Sequence, residues 1–149
     1  MAIVPRNIEG QIEVGIKALL DAESYITSNE IPVRLWFDTD DDLVGHQIIV
    51  HANSATPSIM SELGEAKEYE VQVDLLQYIY NAETELLTGT TNTIYEFLVG
   101  FAEQTTIATI QAKLTKLTVN GKNTMPYAEQ YDERYFMKVA SFTIFVETS

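Results

Sequence analysis

The residues best suited to metal chemistry form the acidic run DTDDD at positions 38–42. Alternating aspartates open the calcium loop of an EF-hand, which also needs glycine at its sixth position and glutamate at its twelfth. Those positions hold Leu43 and Ile49 in this chain, so the run departs from a calcium loop at both. We interpret it as a solvated acidic turn, with a loose cation site as the alternative.

The two histidines, His46 and His51, are the other side chains able to bind a metal or transfer a proton near neutral pH. Their positions differ by five, an odd number, and such residues lie on opposite faces of a regular strand. We therefore do not expect them to hold one metal ion together.

Nucleophilic catalysis has no recognisable signature in the chain. It contains no cysteine, no G-x-S-x-G turn, no glycine-rich phosphate loop and no H-E-x-x-H pair. Its carboxylates fall in turns and on polar strand faces, where nothing indicates the burial that prepares a general acid or base. We expect no enzymatic activity, no cofactor and no metal site.

The length and charge of the chain restrict the functional classes that remain. At 149 residues it has the size of a single domain, 1–149. Its net charge of −13 argues against nucleic-acid binding, which requires Lys and Arg to neutralise phosphates. An acidic surface instead repels DNA, although it also serves solubility alone. No apolar run approaches the roughly 20 residues of a membrane-spanning helix, and the N-terminus lacks a signal-peptide pattern, so we expect no membrane association.

A long central strand is predicted over residues 68–80, EYEVQVDLLQYIY, because apolar and polar residues alternate strictly at its start. The alternation slips at Leu75-Leu76, which indicates either a β-bulge or a passage from one packing environment to another. The last predicted strand, over residues 135–147, repeats this slip. Matching slips indicate either neighbouring strands that bend together or one sheet whose two ends face different layers.

Two helices are predicted from the spacing of apolar residues. The first covers residues 7–24, and its glycines require strong packing or the close approach of another backbone. The second covers residues 94–104, with Thr93 as N-cap and Glu96 completing a capping box. Residues 105–111 are ambiguous between an extension of this helix and a strand.

Two shorter strands are predicted over residues 31–37 and 47–52, paired antiparallel across the acidic turn. Trp36 is the unusual residue, because it shares a strand face with Arg34 and Asp38. It either covers the far side of the sheet beneath a helix or anchors a subunit interface, where aromatic residues concentrate binding energy.

The connections are less regular. The long segment 53–67 is predicted to contain a short helical turn at 58–63, and a strand is predicted over 113–119. Asn120-Gly121 predicts a turn. After this turn, an extended loop or arm is predicted as far as Arg134.

Together these elements predict an α+β fold in the order α-β-β-β-α-β-β. Its mixed, mainly antiparallel sheet has about four to five strands, with two main helices packed on it.

This order, in an acidic chain without cysteine, resembles the tail terminator (tail completion) proteins of long-tailed bacteriophages. The resemblance rests on four stretches: NIEGQIEVGIKALLDA, EYEVQVDLLQYIY, TIYEFLVGFAEQ and YFMKVASFTIFVETS.

The resemblance implies a structural virion protein that forms a homo-hexameric ring. Such a ring caps the tail tube at its capsid-proximal end, stops tube polymerisation and joins the head connector or adaptor protein. It is assembled in the host cytoplasm and lies in the virion at the head-proximal end of the tail. DNA passes through the acidic bore without specific binding.

Ring closure requires a heterologous interface, with two different patches on each subunit. We expect one patch to comprise Arg34, Trp36, Asp38, Asp40, Asp41 and Asp42. We expect the other, in the segment 122–134, to comprise Met125, Tyr127 and Tyr131.

Three other functions remain open at this point. A head–tail adaptor, tube or baseplate subunit is also a ring or tube former. A small α+β ligand-binding module predicts a monomer with a closed apolar pocket. An enzyme predicts a buried carboxylate or histidine in a cleft.

Overall fold

The computed structural model describes residues 8–36, 45–53, 55–60, 64, 66–80, 89–131 and 135–148. In this part of the chain the helices are α1 (Ile8–Asp21), α2 (Ser24–Ser28), α3 (Gly89–Gln104) and α4 (Ile107–Gln111). The strands are β1 (Val33–Leu35), β2 (Gly45–Ala52), β3 (Thr56–Met60), β4 (Ala66–Tyr80), β5 (Leu117–Tyr131) and β6 (Tyr135–Thr148).

Strand β4 is the axis of a six-stranded sheet with the order β1-β2-β4-β6-β5. Strand β6 pairs antiparallel with β4 along one side, from Tyr69 opposite Val146 to Tyr80 opposite Tyr135. On the other side β4 pairs antiparallel first with β3 and then with β2. The sheet therefore ends at two unlike edges, the three-residue strand β1 and the 15-residue strand β5.

The hydrophobic core lies between one face of this sheet and the helices. Ile12 and Ile16 of α1 and Leu98 of α3 are fully buried there, as are Leu75 of β4 and Phe142 of β6. This apolar layer provides most of the favourable free energy of folding.

The close approach expected at the helix glycines occurs at Gly15. A Cβ atom at this position would lie 3.0 Å from Leu114 Cδ2 and 3.4 Å from the Lys113 carbonyl oxygen. Glycine thus lets the segment after α4 pack directly on α1.

The predicted α+β class with a mixed, mainly antiparallel sheet is confirmed, although the sheet has six strands instead of four or five. The first and last predicted strands, and the central one, are present with slightly different ends. The ambiguous segment after α3 forms α4, which Thr106 caps by accepting a hydrogen bond from the Thr109 backbone N–H at 3.2 Å.

The predicted antiparallel pairing of the first two strands is wrong. Strands β1 and β2 are parallel, with Val33 opposite Ile48, and the Ile48 N–H donates to the Pro32 carbonyl at 2.9 Å. A parallel pair needs a connection that returns to the start of the first strand. Because β1 has only three residues, that return is about 10 Å, which the connection 36–44 has ample length to span.

The slips in β4 and β6 are not bulges, because the β2–β4 and β4–β6 registers continue through them without a shift. The second explanation is correct. Residues 73–77 of β4 and 140–144 of β6 are buried on both faces, so polarity no longer alternates with exposure. The expectation that these two strands are neighbours is also confirmed.

Register shifts occur instead in the β3–β4 pairing around Ile59 and in β5, between Val119 and Gly121 and between Met125 and Ala128. Asn120-Gly121 is therefore part of a strand irregularity and not the predicted turn. The predicted arm is also wrong, because residues 121–131 continue β5 and pair with β6. Extra residues in the strand hid the alternation that would have identified it.

Two local predictions fail for related reasons. The predicted helical turn at 58–63 is wrong at its start, where β3 runs to Met60; residues 61–63 lie outside the described part. Helix α3 begins at Gly89, so Thr93 lies inside the helix and is not its N-cap. Sheet pairing and helix packing override weak local propensities in both places.

Candidate assembly surface

A row of polar side chains crosses the sheet face that lies away from the helices. His51 of β2, Asp74 of β4 and Ser141 of β6 stand directly opposite one another in the two strand registers. Their neighbours Val50, Leu75 and Ala140 point to the helix-side core. Adjacent residues in a strand point to opposite faces, so this row belongs to the other side.

Asp74 is the centre of the row. It is 8% exposed, and its carboxylate accepts three hydrogen bonds. Ser141 Oγ donates at 2.6 Å, Asn53 Nδ2 at 2.6 Å and Gln72 Nε2 at 2.8 Å. A buried carboxylate without a paired cation is tolerated when its oxygens are satisfied in this way.

This order of side chains does not match a nucleophilic relay. In such a relay histidine lies between the serine and the carboxylate, so that it can take the serine proton. Here Ser141 donates directly to Asp74, and the imidazole of His51 stacks on Trp36. The row can hold three strands in register and present a surface, but it does not prepare Ser141 as a nucleophile.

Trp36 and Arg34 lie at the β1 edge of this row. The Trp36 ring stacks on His51 with 4.3 Å between ring centroids and 23° between planes, and it remains 48% exposed. Arg34 is half-buried, and its Nε donates to no acceptor within the described part of the chain. The sequence analysis places Arg34 and Trp36 on one strand face. The structure is consistent with this, because Arg34 lies opposite Ile49, which is on the same sheet face as His51.

The remaining predicted interface residues are placed only in part. Asp38, Asp40, Asp41 and Asp42 lie outside the described residues. Met125, Tyr127 and Tyr131 belong to β5 at the opposite edge of the sheet. The described members of the two predicted patches therefore lie at two different edges and do not come together within one chain.

The β5 edge is anchored to the rest of the molecule near its first irregularity. Asn120 Nδ2 donates at 2.8 Å to both Glu68 and Glu147. Lys122 points to the helix side, where its Nζ donates to the Ala102 carbonyl of α3 and lies 5.2 Å from the centre of the Phe142 ring. Burial lowers the pKa of this lysine, and the charge of Glu103 opposes the shift.

A second pair of carboxylates ties α1 to the end of β2, and the sequence analysis missed it. Glu13 accepts the Ala52 N–H and Glu9 accepts the Ala55 N–H, both at 2.8 Å. Glu13 is 4% exposed, and burial raises its pKa, while the Ala52 N–H and His51 oppose the shift and Glu9 adds to it. The only sequence signal was its position beside the apolar stripe of α1.

The described residues offer little else for chemistry. No group of three His, Asp or Glu side chains among them is placed to bind a metal ion. None of their helices is long and apolar enough to cross a membrane.

No known family model matches the chain, and no curated protein matches it significantly.

Proposed function

We propose that this chain is a structural subunit of a bacteriophage tail, and specifically a tail terminator that assembles as a hexameric ring. The ring caps the tube at its capsid-proximal end, stops tube growth and receives the head connector. The chain acts by shape and assembly, with the tube protein, the connector and its own copies as partners.

The observation that carries this proposal is the pair of unlike sheet edges. One edge is the short strand β1 with the half-exposed Trp36 beside it, and the other is the 15-residue strand β5. A ring needs two different surfaces on each subunit, whereas a two-fold dimer uses one surface twice. Gln111 covers the start of β5, where it accepts the Val119 N–H and donates to the Leu117 carbonyl, but a strand of this length offers further edge backbone groups that favour contact with another chain.

The charge of the chain supports the same function. Six copies that each carry −13 would surround the bore with a strongly negative field. Such a field repels the phosphate backbone, so DNA would pass without adhering to the wall.

The first test is the mass of the purified protein by analytical ultracentrifugation, together with negative-stain electron microscopy. We expect closed rings that do not stack beyond one or two layers. Long stacked tubes would assign the chain to the tube subunits instead. A monomer at every concentration, in the presence and absence of tail tubes, would overturn the proposal.

Variants at the two edges then test the interface. Arg34→Glu at one edge, and Tyr127→Ala with Tyr131→Ala at the other, are each expected to convert rings to monomers. Lys113→Glu is the matched control, because it reverses a charge at an exposed site after α4, beside Gly15 of α1. Rings that persist in both edge variants would contradict these interface assignments.

A further inference from the structure

A groove runs along the exposed side of α3, where this helix approaches α4 and the residue that precedes α2. It encloses about 490 Å³, which is within the range of pockets that accept a small ligand or an anchoring side chain. Its walls include Glu23, Glu96, Phe97, Gly100, Phe101 and Gln104. We refer to it as the helix groove.

The floor of the helix groove is aromatic and rigid. Phe97 stacks on Tyr25 of α2 with 4.7 Å between ring centroids and 21° between planes. It also contacts Phe101 at 6.4 Å between centroids, and Phe101 is 7% exposed. Because these contacts fix the Phe97 ring, the floor presents an aromatic surface that does not have to be ordered when a partner binds.

Gly100 keeps the groove open. Glu96, Gly100 and Gln104 recur at intervals of four, so they lie on the same side of α3. A Cβ atom at position 100 would meet only Gln104 Nε2, at an ordinary 3.6 Å. Glycine destabilises a helix interior relative to alanine, and, unlike at Gly15, no close neighbour within the described part of the chain requires it here.

The electrostatic character of the helix groove is negative. Glu23 and Glu96 are both exposed, and none of the described lining residues is basic. Glu23 occupies the N-cap position of α2, but its side chain makes no capping hydrogen bond. The groove also reaches Gln104, the last residue of α3, where helix carbonyls carry partial negative charge, although Lys122 already donates to one of them, that of Ala102.

We propose that the helix groove binds an arginine-bearing segment of a partner protein. A guanidinium group stacks on aromatic rings and forms paired hydrogen bonds with carboxylates, which matches the Phe97 floor and the Glu96 and Glu23 rim. The arginine side chain lies over Phe97 in the gap at Gly100. This surface is on α3 and not at a sheet edge, so the proposal does not depend on ring assembly.

The probe is a fluorescein-labelled peptide, Ala-Leu-Arg-Ala-Leu-amide, whose binding is followed by fluorescence anisotropy. Its matched control carries citrulline in place of arginine, which keeps the shape and removes the charge. We expect the citrulline peptide to bind at least about five-fold more weakly, because it loses the charge-assisted hydrogen bonds. Equal binding of the two peptides, or no binding of either, would overturn the proposal.

Two pairs of variants place the binding site. Glu96→Gln is expected to weaken arginine-peptide binding about two- to five-fold, and Glu103→Gln, on the same helix but outside the groove, to leave it unchanged. Gly100→Leu fills the gap and is expected to abolish binding without lowering the melting temperature. Ala18→Leu adds a leucine to a half-buried site of α1 and is the control for it.

A different result in these variants would also be decisive. Unchanged binding in Gly100→Leu would place the peptide elsewhere and overturn the assignment. Peptide binding that weakens as the protein assembles at higher concentration would assign the groove to self-association and would likewise overturn it. If the peptide results are as expected but the protein is monomeric, only the proposed ring function fails.

Discussion

Adjacent residues of β4 point to opposite faces of the sheet, and different forces stabilise the two faces. Leu75 is fully buried among apolar side chains on the helix side. Asp74, one residue earlier, points to the other side and is held by three hydrogen bonds. Apolar packing has no preferred direction, whereas hydrogen bonds to a carboxylate require defined distances and angles. We infer that the helix side provides stability and that the polar side fixes the alignment of three strands.

The largest loss of stability is expected when a buried side chain is truncated on the helix side of the sheet. Leu75→Ala should lower the free energy of unfolding by about 2–5 kcal/mol, because it leaves a cavity in the apolar core. Leu76→Ala is the matched control, since it removes the same atoms from the next residue, which is also buried at 5% exposed but lies outside the apolar core cluster. We expect a smaller loss for Leu76→Ala in urea unfolding monitored by tryptophan fluorescence. Equal losses would contradict the assigned division between the two faces.

The sequence predicted the packing of helices on a sheet because burial on one face makes apolar residues recur at regular intervals. Alternation identified β4 and β6, and helical spacing identified α1 and α3. The parallel β1–β2 pair was not predictable, because pairing direction depends on the path of the connection and not on the strand residues. The predicted strand over 113–119 overlaps only the first three residues of β5, and the rest of β5 was missed because its two register shifts break the alternation.

The polar row could not be predicted from the pattern of apolar and polar residues. Asp74 looked like one more residue of a solvated strand face, since Glu68, Glu70 and Gln72 precede it in alternation. Its burial follows from the strands on both sides and from Ser141, which is distant in sequence. Trp36 was recognised because a tryptophan among charged residues departs from the local pattern, whereas the serine carries no such signal.

The next effect is expected at the centre of the polar row. Asp74→Ala should cost about 1.5–3 kcal/mol of unfolding free energy, because it leaves the donors on Asn53, Gln72 and Ser141 without their charged acceptor. Ser141→Ala removes one donor only and should cost less, about 1 kcal/mol. Both losses are to be measured by denaturant unfolding. If Ser141→Ala were the more damaging change, the carboxylate would not be the centre of the row.

The pH dependence of stability tests the α1 carboxylate contact. Burial raises the folded-state pKa of Glu13 above its ordinary value of 4.5, so the folded protein holds this proton to higher pH than the unfolded chain does. Stability from Glu13 is therefore complete below pH 4.5 and is lost as pH rises through the raised pKa. The slope within that window is at most about 1.4 kcal/mol per pH unit.

Glu13→Gln removes this titration and keeps an oxygen that can accept the Ala52 N–H. We expect its unfolding free energy to vary less with pH above 4.5 than that of the parent. Glu70→Gln, an equal charge change at an exposed site on β4, corrects for the general effect of charge. Identical pH profiles for Glu13→Gln and the parent would show that this carboxylate does not contribute to the pH dependence.

The smallest effect is expected at the exposed end of the polar row, where Trp36 stacks on His51. A double-mutant cycle with Trp36→Ala and His51→Ala should give a coupling of about 0.5–1.5 kcal/mol, as for other aromatic pairs. Stability must be measured on monomer, at a concentration too low for assembly, because a ring would add the interface energy to the result. A coupling near zero would mean that the stack contributes nothing in the isolated chain. Any loss of assembly in Trp36→Ala would then come from the neighbouring subunit and not from a change within this one.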